Sequence, residues 1–357
     1  MLFNNTSGMT ASDWMKLEAF VDELKVADKI MLIIFAICTL VGNTLVLVAT
    51  WREASLHQPN KYFVACLAVA DLLVGMILEP LKANRLNLDY ESMRTMSIHL
   101  CRFMVWIDTI AITASIYTLT FISFDRFMKI RKPLQYRSTM TTSKSLKIIF
   151  IIWLISTAFA TYAATPHSGS IGILTTGGVI CSLDHNKKKV FYTFVSVSVF
   201  FLPTVVILVM DALIFIVVHK RQKMLRNGEL GQTSNDRNQR SAFLQDLKTI
   251  RMLLVVVGVF ILCWGPYFIY LMLLFYGRSF IAFDNMSFSS RRGMLIADLI
   301  ISKLPYFNSL CNPIIYACLD QTYRKAFKNL FQRMMCRPSS RRRQPLEAIE
   351  LRPLRTR

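Results

Sequence analysis

Residues 106–126 read WIDTIAITASIYTLTFISFDR: an apolar run holding one acid near its start, Asp108, and closing on Asp125-Arg126. Asp108 and Arg126 are 18 residues apart. At 3.6 residues per turn this is five full turns, so both lie on one helical stripe, about 27 Å apart. An ionisable group within hydrocarbon is costly unless it faces the protein interior or water. The stretch therefore reads as a membrane helix with a carboxylate near one face and an arginine near the other, both turned inward. Such a helix can bind on one side and report on the other. Asp71, Asp211 and Lys303 interrupt further apolar runs in the same way.

Working outward, the apolar residues come in long blocks. Ile30–Thr50 and Met252–Tyr276 contain no Asp, Glu, Lys or Arg, and each is long enough to cross about 30 Å of hydrocarbon. Five more blocks follow, at roughly Tyr62–Leu81, Phe103–Phe124, Ile148–Thr165, Val190–Val218 and Met294–Leu319. The composition agrees: 54% of residues are hydrophobic and the mean hydropathy is +0.41. The expected fold is an all-α membrane protein, a seven-transmembrane helix bundle with a short amphipathic helix after the seventh span. Residues 1–29 are expected outside the cell, 30–319 in the membrane, and 320–357 as amphipathic helix and cytoplasmic tail. The start, MLFNNTSGMTASDWMK, lacks a basic segment followed by an apolar one, so no cleaved signal peptide is expected.

The net charge of +20 is not a nucleic-acid footprint, because the basic residues gather on one side of the expected membrane. Lys129, Arg131, Lys132, Arg137, Lys144 and Lys147 follow span three, Lys220, Arg221, Lys223 and Arg226 follow span five, and the tail adds Arg341-Arg342-Arg343. The first 30 residues instead hold Asp13, Glu18, Asp22, Glu23 and Asp28. The excess of Lys and Arg in the loops orients the N-terminus outside and the C-terminus in the cytosol of a multi-pass plasma-membrane protein. Basic segments beside the spans also favour anionic lipid.

Of the eight cysteines, Cys38, Cys66, Cys263, Cys311 and Cys318 fall within helices and read as small hydrophobes. Cys101, at the outer end of span three, and Cys181, in the loop between spans four and five, both face the oxidising compartment, and a disulfide between them is expected. Asn4, Asn5 and Asn285 stand in glycosylation sequences on the expected outer side, and Cys336 follows the amphipathic stretch as a palmitoylation candidate.

Each span carries a recognisable tag: Gly42-Asn43, LAVADLL around Asp71, SFDRF with Asp125-Arg126, Trp153, Pro203, CWGPYF with Trp264 and Pro266, and NSLCNPIIY from Asn308 to Tyr316. All seven in order resemble the rhodopsin-like G-protein-coupled receptors, and within them the biogenic-amine receptors are the most similar. The resemblance covers about residues 30–335 and implies a receptor that activates a heterotrimeric G protein by movement of span six.

The resemblance also implies site residues. Asp108 matches the carboxylate that holds a ligand ammonium and Tyr306 the tyrosine that hydrogen-bonds it, while Trp264, Tyr267 and Phe268 form an aromatic wall suited to cation–π contact. Ser196 is the hydroxyl offered by span five, with Val195 and Val199 where catecholamine receptors often carry hydroxyls. Asp71, Ser115, Asn308, Asn312 and Trp264 match a set that holds an allosteric sodium ion, and oxygen donors around one carboxylate suit a hard cation. The same groups can also form a dry hydrogen-bonded network. Pro203, Ile116 and Phe260 match a packing switch below the ligand. Asp246 is the expected second partner of Arg126, Leu134 the residue that docks into the G protein, and Tyr316 part of the switch in span seven. Asp211 replaces the tyrosine expected eight residues after Pro203, and DRF replaces the usual DRY. Asp211 is expected to meet Arg126, either in the active state or as a second lock at rest.

Three alternatives stay open. The ligand can be a peptide or another non-amine, met in part by the loop ending in HNKKK, with Asp108 paired internally, for example to Lys303. Lys303 lies three residues before Tyr306, the position a retinal-binding lysine would occupy, which argues against an opsin. A transporter should show an internal repeat and broken helices, and neither is found. The chain carries no metal cluster, nucleophile–base pair or phosphate loop, so no enzyme activity, cofactor or nucleic-acid partner is expected beyond the sodium ion.

Overall fold

The computed structural model describes residues 10–53, 56, 58–86, 98–170, 172, 185–226, 234–276 and 287–335, with side chains at 234–249 and a few other helical positions outside that description. Among the described residues, seven helices are long and apolar enough to cross a membrane: Ala11–Arg52, Pro59–Arg85, Ile98–Arg131, Thr142–Ala163, Lys187–Met224, Ile250–Tyr276 and Phe288–Leu319. They are numbered as spans one to seven. A short helix, Pro133–Thr139, follows span three, and Gln321–Met335 closes the described chain.

Most helices overrun the apolar blocks that announced them. Span one begins at Ala11 rather than Ile30, because Thr10 and Asp13 cap it reciprocally. Thr10 Oγ1 accepts from the Asp13 amide at 3.2 Å, and Asp13 Oδ2 accepts from the Thr10 amide at 3.1 Å. The helix therefore continues through the acidic segment, and Asp28 lies on it. Span two does not stop near Leu81 but runs through Pro80 to Arg85. Its turn at Val74–Leu78 widens to a π-helix just before Pro80. Proline lacks an N–H and its ring crowds the carbonyl four residues earlier, and a wide turn ahead of it relieves both. Span five does the same at Ser196–Phe201, just before Pro203.

Packing closes the spans into a ring. Span one lies against spans two and seven, seven against six, and span three touches spans two, four, five and six. Span three is the most enclosed of the seven, and Asp108 and Arg126 near the two ends of its stripe are both buried, as is Ile116 between them. On the outside, Ile33, Ile37, Phe150, Leu154, Val205, Leu208 and Leu262 are exposed, the pattern expected where lipid replaces water as solvent. Spans one, two and seven approach closely at two glycines. A Cβ on Gly75 would lie 2.8 Å from Thr39 Cγ2, and one on Gly42 would lie 2.9 Å from Pro313 Cγ.

At the Arg126 end, the closing helix is amphipathic. Tyr323, Ala326 and Leu330 turn inward, while Arg324, Lys325 and Phe331 stay exposed. Tyr323 stacks on Tyr316 of span seven with ring centroids 5.6 Å apart, and its hydroxyl meets Thr50 Oγ1 of span one at 2.9 Å. Asp320 caps the helix by accepting from the amides of Thr322 and Tyr323, and it forms a buried ion pair with Lys61 of span two. Burial alone would raise the Asp320 carboxyl, but Lys61 and the two backbone donors hold it below its ordinary value.

Two outcomes follow from this packing. Gly75→Ala should cost about 1–3 kcal/mol through overpacking, read as a lower thermal midpoint of the solubilised protein. Gly258→Ala, with nothing within 4 Å of its Cβ, should not lower it. Asp320→Asn keeps a capping acceptor but strands a buried Lys61, and the loss should approach about 3–5 kcal/mol. Because the Asp320 carboxyl is lowered, its contribution is present above the ordinary carboxylate range and fades as pH falls through the lowered value. A wild-type midpoint that does not respond to acid more than the Asp320→Asn midpoint would contradict this.

Candidate functional site

The bundle brings the expected carboxylate and aromatic groups together. Asp108 of span three and Tyr306 of span seven are both fully enclosed, and the Asp108 charge acts on the Tyr306 hydroxyl. Span six supplies Trp264, Tyr267 and Phe268, all buried: Trp264 and Tyr267 meet edge to face at 6.2 Å, and Phe268 lies 5.8 Å from each. Phe200 of span five, absent from the sequence expectations, completes the wall by stacking on Phe268 at 4.6 Å with an interplanar angle of 15°. The π turn places Ser196 inside, where its hydroxyl makes no hydrogen bond among the described residues. Ser198 is committed to the Phe194 carbonyl at 2.7 Å, while Val195 and Val199 are fully buried.

Beside this carboxylate lies a charged wall that the sequence reading missed. Glu79, Lys82 and Arg85 of span two are all buried. Ending that span near Leu81 leaves Lys82 and Arg85 beyond it, and Glu79 just inside its end. A signal was available: Lys82 is 11 residues after Asp71, close to three helical turns. Lys82 and Lys303 stand over the ring of Tyr306, at 5.0 and 5.6 Å from its centroid. Lys303 pairs with Asp28 of span one at 2.5 Å. The partner could not be named from the sequence because Asp28 was read as part of a segment outside the membrane.

Deeper in the bundle, Asp71 Oδ2 accepts from Asn312 Nδ2 at 2.8 Å, and Ser309 also hydrogen-bonds the same carboxylate. Asn43 of span one reaches the Ser309 carbonyl at 3.1 Å. Asn308 is buried with its Oδ1 making no hydrogen bond among the described residues. Ser115 is half-buried and Trp264 is buried. The donors here are all oxygens or amides around one acid, a chemistry that fits a small hard cation. Among the described residues no group of three or more His, Cys, Asp or Glu side chains could hold a metal.

At the other end of the stripe, Arg126 is buried, with Asp125 3.9 Å away. Asp125 is held by the hydroxyl of Tyr136, donated from the short helix Pro133–Thr139 at 2.8 Å, a partner the sequence reading did not name. Among the described residues no hydrogen bond or ion pair joins Asp211 to Arg126, and Asp211 is half-buried on span five. Ile116, Pro203, Phe260 and Tyr316 are buried, with Phe200 5.9 Å from Phe260. The side chains of Leu134 and Asp246 lie outside the described residues, as do Asn4, Asn5, Cys181, Asn285 and Cys336. Cys101 is disulfide-bonded, while Cys38, Cys66, Cys263, Cys311 and Cys318 are free.

Residues 42–316 match the model of the seven-transmembrane receptor (rhodopsin family). Among curated proteins, the chain is 29% identical to the alpha-1A adrenergic receptor of Oryzias latipes, over 83% of this chain and 65% of that protein. It is 30% identical to trace amine-associated receptor 5 of Rattus norvegicus, over 84% of this chain and 83% of the relative. It is 29% identical to the alpha-1D adrenergic receptor of Sus scrofa, over 89% of this chain and 58% of the relative. The chain thus spans under two thirds of the length of several adrenergic relatives that it matches.

Proposed function

Because the chain belongs to the rhodopsin family of seven-transmembrane receptors, we propose that it binds a small protonated amine from outside the cell and activates a heterotrimeric G protein. The observation that carries this reading is Asp108: a fully enclosed carboxylate, in electrostatic reach of the Tyr306 hydroxyl, beside the aromatic wall of Trp264, Tyr267 and Phe268. An ammonium there gains a charge-assisted hydrogen bond and cation–π contact at once. Relatives named for trace amines and for adrenergic signalling support the same reading. Ser196 supplies a hydroxyl for the other end of the ligand. A family of receptors gives no role to enzymatic chemistry.

The orientation follows the Lys and Arg excess: residues 1–29 outside, the bundle within 30–319, and 320–357 in the cytosol against anionic lipid. In this frame Cys101 pairs with Cys181, Asn4 or Asn5 and Asn285 carry glycan, and Cys336 carries a palmitoyl chain. Signalling runs down span three. Ligand contact at Trp264 is passed through Phe260, Pro203 and Ile116 to the Arg126 end. There the release of Arg126 from Asp125 and Asp246 lets span six swing outward. Leu134 then docks into the G protein, Tyr316 turns inward, and Asp211 takes Arg126 in the active state.

Asp71, Ser115, Asn308, Asn312 and Trp264 would hold a sodium ion in the resting state, where Ser309 also reaches the carboxylate. An ion bound in one state only lowers agonist affinity by linkage.

Asp108→Asn keeps shape and removes charge. Agonist potency should fall about 30-fold to several thousand-fold, the loss of a buried ion pair. In a G-protein reporter assay at matched surface expression, unchanged potency or an uncharged activator would sink the amine reading. Asp71→Asn should abolish the dependence of agonist affinity on sodium. Wild-type binding that is indifferent to replacing sodium by a bulky organic cation would favour the dry network instead.

A further inference from the structure

We propose that the receptor carries a second ligand site, apart from Asp108, for a long-chain fatty acid. It is the cavity between the ends of spans four and five, with the carboxylate on Lys187 and His167 and the chain along Phe159, Phe191 and Phe194.

A cavity of about 620 Å³ opens there, within the range of roughly 300–1,000 Å³ that small-molecule sites occupy. Two hydrogen bonds from span three fix its level: Arg102 donates to the Ala164 carbonyl at 2.9 Å, and Trp106 Nε1 donates to Thr161 Oγ1 at 3.2 Å. This end of span four therefore lies at the Asp108 end of the bundle. Polar and apolar members of the lining are sorted along the two helices. His167 lies past the end of span four at Ala163, and Lys187 opens span five; both are exposed. Phe159 stands one turn inside span four, and Val190 and Phe194 stand one and two turns inside span five. Gly169, at a φ of 76°, seats the His167 segment against the backbone of Lys187, where a Cβ would come within 2.6 Å. Two nitrogen donors at a rim, with an apolar floor one to two turns deeper, are the pattern of an amphiphile with an anionic head.

The cavity faces away from the amine site. Val190 is 71% and Phe194 55% exposed, whereas Asp108 is fully enclosed. That outer surface meets hydrocarbon. Within lipid an apolar chain gains little by leaving other chains, so the rim must supply affinity and the walls must supply shape. The walls are held from behind. Phe191 stacks on Phe159 with centroids 6.3 Å apart and an interplanar angle of 5°, and Phe194 lies 5.9 Å from Phe159. Phe191 also meets Tyr192 edge to face at 5.4 Å. Tyr192 in turn stacks on Phe275 of span six at 5.3 Å and donates to the Gly172 carbonyl at 2.7 Å. Rings fixed on their far side make a preformed site that loses little side-chain freedom on binding. One cavity of this size below one rim takes a single chain, which favours a fatty acid over a two-chain phospholipid.

The test uses the full-length receptor in phosphatidylcholine nanodiscs with a photoactivatable palmitate, its cross-links mapped by mass spectrometry. Labelling should saturate, fall within residues 154–170 and 187–197, and be displaced by oleate but not by methyl oleate or phenethylamine. Lys187→Gln should weaken binding about 10-fold, the loss of one hydrogen bond to a charged group. Val190→Trp should fill the cavity and abolish labelling. Lys187 and Val190 are both exposed, so neither change disturbs the core, and Phe150→Trp, exposed farther along span four, should change nothing. The wild-type competition needs no variant. Labelling that never saturates, or that spreads over every span, is ordinary lipid contact and would overturn the site. Equal displacement by methyl oleate would remove the carboxylate contact. Displacement by phosphatidic acid at lower concentration than oleate would give the cavity to a phospholipid, and displacement by phenethylamine would merge it with the amine site. Each of these overturns the proposal, and none of the first three touches the amine reading of Asp108.

Discussion

The cost of placing charge in a low-dielectric bundle governs this molecule. Water is absent from the membrane interior, so an ionised group there must find an opposite charge, a hydrogen-bond donor or a ring face, or it destabilises the fold by several kcal/mol. The inward faces answer that requirement one by one. Lys61 meets Asp320, Lys303 meets Asp28, and Asp71 meets Asn312 and Ser309. These contacts join spans one, two and seven to one another, where Gly42 and Gly75 also allow close helix approach. The electrostatic pairs and the tight packing therefore reinforce one wall of the bundle.

Span three is the axle. Enclosed by four neighbours, it carries an acid toward one end and Arg126 toward the other, and most of the side chains between them are buried. A packed core has discrete arrangements rather than continuous give. A change of contact at Trp264 is therefore transmitted as a shift of whole side chains, Phe260 and Ile116 among them, rather than absorbed. Among the described residues, the second wall, spans five and six, is tied by aromatic stacking of Phe200 on Phe268 and by the meeting of the Thr193 and Tyr276 hydroxyls. Stacked rings can slide at small cost, whereas a buried ion pair cannot part so easily. The division between a pinned wall and a sliding wall agrees with a mechanism in which span six moves.

Two prolines shape the site through the turns before them. Pro80 and Pro203 each follow a π turn, and each turn sets the facing of groups that matter: Glu79 and Lys82 in span two, Ser196 in span five. The missing proline N–H is thereby converted from a defect into a rotation of the helix end that lines the ligand site.

What the sequence alone determined is what local chemistry decides. Runs of about 18 or more apolar residues read as spans, so seven of them were legible, as was the stripe linking Asp108 to Arg126, because a helix repeats every 3.6 residues whatever surrounds it. Motif by motif, the aromatic wall around Trp264 and the pairing of Asp71 with Asn312 were legible too. Only the tertiary structure decided the rest. Lys82 and Arg85 fell beyond the expected end of span two because a proline and a run of charge normally end a span, yet the helix carries both on into the bundle, where they are buried. Asp28 looked like part of an outer segment until the helix that carries it was seen to bring it to Lys303. A charge in a sequence has no burial of its own; whether it lies in a loop or in a wall depends on which opposite charge, 275 positions away in the case of Asp28 and Lys303, the bundle folds against it.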